Sequence, residues 1–127
     1  MRTYTLFRLP SGLLATRAAL HGPSGVAGVR LVIDTGAAYT VLHPSFLERT
    51  GTASKGEISV RTLERIIHLP AFTVERISVF GAVLDQYTVL AYTPAAFTPG
   101  IDGILSIDIL HTLKARLDFS SSVLLIP

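Results

Sequence analysis

Short apolar runs broken by glycine, proline and small polar residues set the pattern of this chain, and helical spacing is scarce. Leu13 to Leu20 and Val26 to Ile33 read as two strands around the turn His21-Gly22-Pro23-Ser24-Gly25. The second run is largely apolar on both faces, which suits a central strand. The pair predicts a hairpin that delivers Asp34 to the turn Thr35-Gly36. Tyr39 to Leu42 is short and extended. His43-Pro44-Ser45 can open a helix that continues through Phe46 to Thr50 and stops at Gly51. Thr50 to Glu57 is polar and reads as a loop.

From Ile58 onward the pattern is persistently that of strands. Val60 to Leu69 alternates about a hairpin tip at Thr62-Leu63-Glu64-Arg65, and Pro70 interrupts it. Phe72 to Phe80 and Val83 to Tyr92 flank Gly81-Ala82, where glycine at the first loop position predicts a type II′ turn. Thr93 to Gly100 carries two prolines and reads as a loop. Ile101 to Leu110 is a second apolar segment with embedded acids, and a short helix starts near Asp108 and runs out by Lys114. Ala115 to Phe119 and Val123 to Ile126 close the chain as strands. No repeat or linker divides the sequence, so residues 1–127 are expected to form a single all-β domain. A closed or partly closed barrel with one or two short helices hides its strand edges best.

Composition narrows the function. At 49% hydrophobic and 16% charged, the chain is neither disordered nor a coiled coil. No apolar run approaches the roughly 20 residues of a membrane helix. Met1 to Arg8 has a charge inside any possible apolar stretch and no small-residue cleavage site, so no signal peptide is expected. Cysteine is absent, which excludes a disulfide scaffold and thiolate chemistry and leaves the compartment open, with the cytoplasm as default. The net charge of +2 comes from singly scattered Arg and Lys residues, which argues against nucleic acid as a partner.

Most catalytic patterns are missing. The chain has no phosphate loop, zinc helix or nucleophile elbow. His21, His43, His68 and His111 share no metal-ligand spacing, and no cofactor motif occurs, so neither a metal nor a cofactor is expected. Ser120-Ser121-Ser122 has no His and Asp in evident relation to it. What remains is Asp34, at the end of the run Leu31-Val32-Ile33. A carboxylate held there must be hydrogen-bonded, paired or put to use. The alternative is an Asp that caps its own turn.

Ile33-Asp34-Thr35-Gly36-Ala37, followed by Thr40-Val41-Leu42, resembles the active-site signature of retropepsin-like aspartic proteases of the single-domain, bacterial type. About seventy residues on, Asp102-Gly103-Ile104-Leu105-Ser106-Ile107-Asp108-Ile109-Leu110 resembles the second signature of that family, and the last two strands resemble those of its bacterial members. The likeness runs from about Leu13 to Ile126. Two features depart from it. Ser106 stands where the family has glycine, and the flap hairpin has no glycine near its tip.

The resemblance implies an aspartic endopeptidase with Asp34 as the catalytic carboxylate and Thr35, Gly36 and Ala37 as its turn. Thr62, Leu63, Glu64 and Arg65 would form a flap over a peptide substrate. The chemistry needs two carboxylates, and a chain with both turns would be about twice as long. A homodimer follows, in which Thr35 braces the two turns across the axis and Gly36 keeps the backbone close. Ala37 in place of a hydroxyl residue offers the ionised carboxylate one donor fewer, which points to activity at mildly acidic or neutral pH. Two other readings stay open. The domain could bind peptides or dimerise without turnover, or it could be a monomer whose second turn comes from another protein or a longer precursor.

Overall fold

The computed structural model describes residues 1–93 and 99–127. In chain order the strands are β1 (Arg2–Thr5), β2 (Phe7–Arg8), β3 (Leu14–Gly22), β4 (Gly25–Ile33) and β5 (Val41–Leu42), followed by helix α1 (Pro44–Thr50). Then come β6 (Ser54–Arg61), β7 (Ile66–Val79), β8 (Ala82–Ala91), β9 (Gly103–Leu105), helix α2 (Ile107–Thr112), β10 (Arg116–Asp118) and β11 (Val123–Ile126).

Six of these strands close on themselves in the order β3-β4-β9-β5-β8-β7, and β7 returns to β3 through Ala19↔Ser78, Leu20↔Ile77 and His21↔Arg76. Closure removes the open edges that a flat sheet would leave unpaired. β2 extends the sheet beyond β3, and β6 extends it beyond β7. The alternation of β3 and β4 puts Leu20, Val29 and Leu31 inside the barrel, where they pack with Val74, Ile77, Val89 and Leu105. This is the all-β barrel with two short helices that the apolar pattern predicts.

Helix α1 begins and ends where its sequence says it should. The His43 ring accepts the Ser45 N–H at 3.2 Å, Pro44 opens the first turn, and Gly51 ends the helix at φ 69°. The strand pattern needs four amendments. β6 starts at Ser54, inside the stretch read as a loop, because a register shift between Ser54 and Glu57 lets polar residues join the ladder. Pro70 does not interrupt β7. It stands opposite Glu57 beside that irregularity, just before pairing with β8 starts at Ala71, where the missing N–H is tolerated.

The β7–β8 loop is Phe80-Gly81, one residue earlier than the pattern suggests. Both residues have positive φ (51° and 68°), so the turn is type I′. Burial of the Phe80 ring, tilted against Tyr4 at 5.6 Å, holds this bulky residue in a backbone region it rarely adopts. Finally, the N-terminal residues are strands. β1 joins β11 and β10 in a separate three-stranded sheet, with Arg2↔Ile126 through Thr5↔Val123 in register. Of the expected loop Thr93 to Gly100, residues 94–98 lie outside the described residues. No helix is long and apolar enough to cross a membrane.

Candidate active site

Asp34 is the first residue past β4, and its N–H continues the ladder to Leu105 O on β9 at 2.9 Å. Its backbone carbonyl accepts the Ala37 N–H at 3.2 Å, and its side-chain Oδ1 accepts the Gly36 N–H at 2.9 Å. The half-buried carboxylate is therefore aimed by its own turn, while Thr35 and Gly36 lie exposed beside it. A Cβ on Gly36 would stand 3.4 Å from Asp34 Oδ1, so glycine leaves the least crowded approach to the carboxylate.

The other four aspartates are all engaged. Asp85 pairs with Arg76 at 3.2 Å on the exposed outer side of the β7–β8 hairpin. Asp102 Oδ2 accepts the Arg30 N–H and its own N–H bonds Arg30 O, each at 2.8 Å, which locks β9 alongside β4. Hydrogen bonds from the Ser120 hydroxyl and from Ser121 hold the Asp118 carboxyl below the ordinary range in the β10–β11 turn. Asp108 accepts from Tyr87 and Ser106. Asp34 and Asp118 each bond only within their own turn, but Asp118 is held by three bonds from Ser120 and Ser121, whereas the Asp34 carboxylate accepts only the Gly36 N–H.

Behind that turn lies a cluster of hydroxyl groups. Ser106, which replaces the glycine of the resembled signature, is fully buried. Its Oγ lies 2.8 Å from Thr40 Oγ1 and 3.2 Å from Tyr87 OH, and it also bonds Asp108 Oδ1. The Ser106 side chain thus has both the space and the partners it needs. Burial, the largest cause, pushes the Tyr87 phenol up to about 12. Thr40 stands in the segment that resembles the first signature, but nothing in the sequence marks Tyr87 as a site residue. Only the strand alternation of β8, which turns Tyr87 towards the interior, could have hinted at it.

A cavity of about 340 Å³ opens next to the turn. Gly36, Ala37 and Tyr39 after the Asp34 turn and Ser59, Val60 and Arg61 of β6 all line it. Its floor is apolar, from Val41, Leu69, Leu90 and Ile104, and most of these belong to a small core under the β6–β7 hairpin. The hairpin tip Thr62-Leu63-Glu64-Arg65 does not line this cavity. It is exposed and borders a separate concavity with Ile67 and Tyr92.

The tip needs no glycine, because none of its four residues has a positive φ. Thr62 Oγ1 instead accepts the N–H groups of Glu64 (3.3 Å) and Arg65 (3.1 Å) and donates to Arg65 O at 2.9 Å. Thr62→Ala is expected to speed amide exchange at residues 63–65 while global stability moves by no more than about 0.5 kcal/mol. A large fall in melting temperature would contradict this. Among the described residues no three His, Asp or Glu side chains group in a way that could hold a metal ion.

A profile of the aspartyl protease family matches residues 19–109. No curated protein sequence matches the chain. Among solved structures, a retropepsin-like aspartic protease from Rickettsia conorii superposes with a TM-score of 0.68 at 16% identity, covering 98% of this chain and 90% of its own. The EIAV protease in complex with an inhibitor superposes with a TM-score of 0.61 at 20% identity, covering 82% of this chain and 90% of its own. At these identities the superpositions establish the retropepsin-like fold, and the profile match takes in the first signature segment and the second as far as Ile109.

Proposed function

We propose, from the premise that this chain belongs to the aspartyl protease family, that it is an endopeptidase working as a homodimer through two Asp34 carboxylates. The observation that carries the reading is Asp34 itself. It is a carboxylate aimed by its own turn, flanked by exposed Thr35 and Gly36, and set beside an apolar cavity. One such turn per chain supplies one carboxylate, and in this reading a second copy supplies the other.

Two carboxylates about 3 Å apart cannot both ionise. The anion takes a proton from the water held between them, and that water attacks the scissile carbonyl carbon. The protonated partner polarises the carbonyl oxygen and later helps protonate the leaving amine. Thr35, exposed at the turn, braces one copy against the other, and Gly36 and Ala37 leave the approach to the carboxylate open. An extended peptide lies between the turn and β6, with main-chain bonds along the hairpin and an apolar side chain in the cavity. Thr62, Leu63, Glu64 and Arg65 at the hairpin tip close over it.

Subunit mixing tests the shared site. A fixed amount of wild-type chain, equilibrated with an equal amount of Asp34→Asn chain, is expected to lose about half its peptide-cleaving activity, because random pairing puts half of the wild-type chains in mixed dimers. Unchanged activity on mixing would refute a site built from two copies.

A further inference from the structure

The hydroxyl cluster behind the Asp34 turn has few ways to place its protons. An ionised Asp108 carboxylate only accepts. Tyr87 OH lies 2.8 and 3.0 Å from its two oxygens, and Ser106 Oγ bonds Oδ1, so both of these protons point at Asp108. Thr40 Oγ1 already accepts the Ser106 N–H at 3.2 Å, which leaves its own proton for Ser106 Oγ or for Tyr87 OH. Among the described residues no buried side-chain polar atom lacks a partner. Such a closed network specifies one arrangement, and loss of a single member leaves the rest mispaired.

Ser106 has a further peculiarity. It occupies the N-cap position of α2, where serine is a favoured residue, yet its hydroxyl caps none of the helix's backbone N–H groups. The hydroxyl serves Thr40, Tyr87 and Asp108 instead. On either side of it the backbone holds the catalytic turn: Leu105 O accepts the Asp34 N–H at 2.9 Å, and Ile107 N–H donates to Ala37 O at 3.0 Å. Displacing Ser106 therefore pulls on both ends of the turn.

We infer that Tyr87 is a positioning residue for Asp34, fixing from β8 the Ser106 and Asp108 side chains that set the place of the segment carrying the turn. This rests on the reading of Asp34 as half of a catalytic dyad. Tyr87 does not line the cavity beside the turn, so its effect falls on the chemical step and not on peptide binding. Raised by burial, the phenol keeps its proton throughout the range in which a peptidase of this kind works.

The experiment uses the full-length Tyr87→Phe protein, which loses one oxygen and keeps the ring. kcat for a chromogenic peptide is expected to fall about 10- to 100-fold, with KM changed by less than about twofold. Hydrogen–deuterium exchange is expected to quicken at the Asp34 and Ile107 amides while Leu20 and Ile77, at the barrel closure, keep their protection. Unchanged kcat in an active enzyme would overturn the inference. So would exchange that rises equally throughout the barrel, since that marks a role in stability alone. If the wild-type protein cleaves no peptide, the endopeptidase reading fails, and the exchange arm still decides whether Tyr87 holds the turn.

Discussion

Asp34→Asn is expected to abolish peptide hydrolysis, with kcat lower by about four orders of magnitude or more and the fold intact. Asparagine can neither take the proton of the attacking water nor return one to the leaving amine. Its side-chain oxygen can still accept the Gly36 N–H that Asp34 Oδ1 accepts at 2.9 Å, so the turn keeps its shape. The ladder bond from the Asp34 N–H to Leu105 O involves backbone alone and survives as well. The measurement is paired: cleavage of casein or a peptide, and a melting temperature that does not fall. Cleavage retained by a homogeneous Asp34→Asn preparation would remove the mechanism, whatever the fold.

Gly103→Ala is expected to have the largest effect on stability, about 3 kcal/mol, equivalent to a fall of roughly 10 °C in melting temperature. Gly103 lies in β9 between β4 and β5, paired with Leu31 on one side and Leu42 on the other. A Cβ there would run into the Val41 carbonyl oxygen and stand 3.1 Å from Leu42 Cα. Both obstacles are backbone, so no rotamer change relieves the clash, and β5 must move away from β9. That movement also disturbs the segment from Leu105 to Ile107 on which the Asp34 turn is held. Thermal or denaturant unfolding reads the loss, and a near-neutral result would mean that the two strands do not approach so closely. Gly28→Ala is the control. It lies in the adjoining strand, where a Cβ meets nothing within 4 Å.

Much of the site was legible because it is local. Asp34, Thr35 and Gly36 are adjacent, and the bonds that shape their turn run within four residues. The same holds for α1, whose cap, first-turn proline and terminal glycine all lie inside nine positions of sequence. Tyr87 illustrates the opposite case. Nothing around it marks a site, and its role arises because β8 brings it to Thr40, 47 positions away in sequence, and to Ser106, 19 away.

The sequence by itself determined the strand periodicity, the turn that presents Asp34, the short helices and a resemblance strong enough to name the chemistry. It did so because period, turn residues and a contiguous motif act over a few neighbouring residues. Tertiary structure alone decided the pairing of β1 with β11, the closure of β3 on β7, the passage of β7 through Pro70 and the partners of Ser106. Each depends on which strand lies alongside which, and therefore on the burial and pairing of groups far apart in the chain. Ser106 joins the two levels: the sequence marks it as a departure, and the barrel supplies the hydroxyl and carboxylate groups that make room for it.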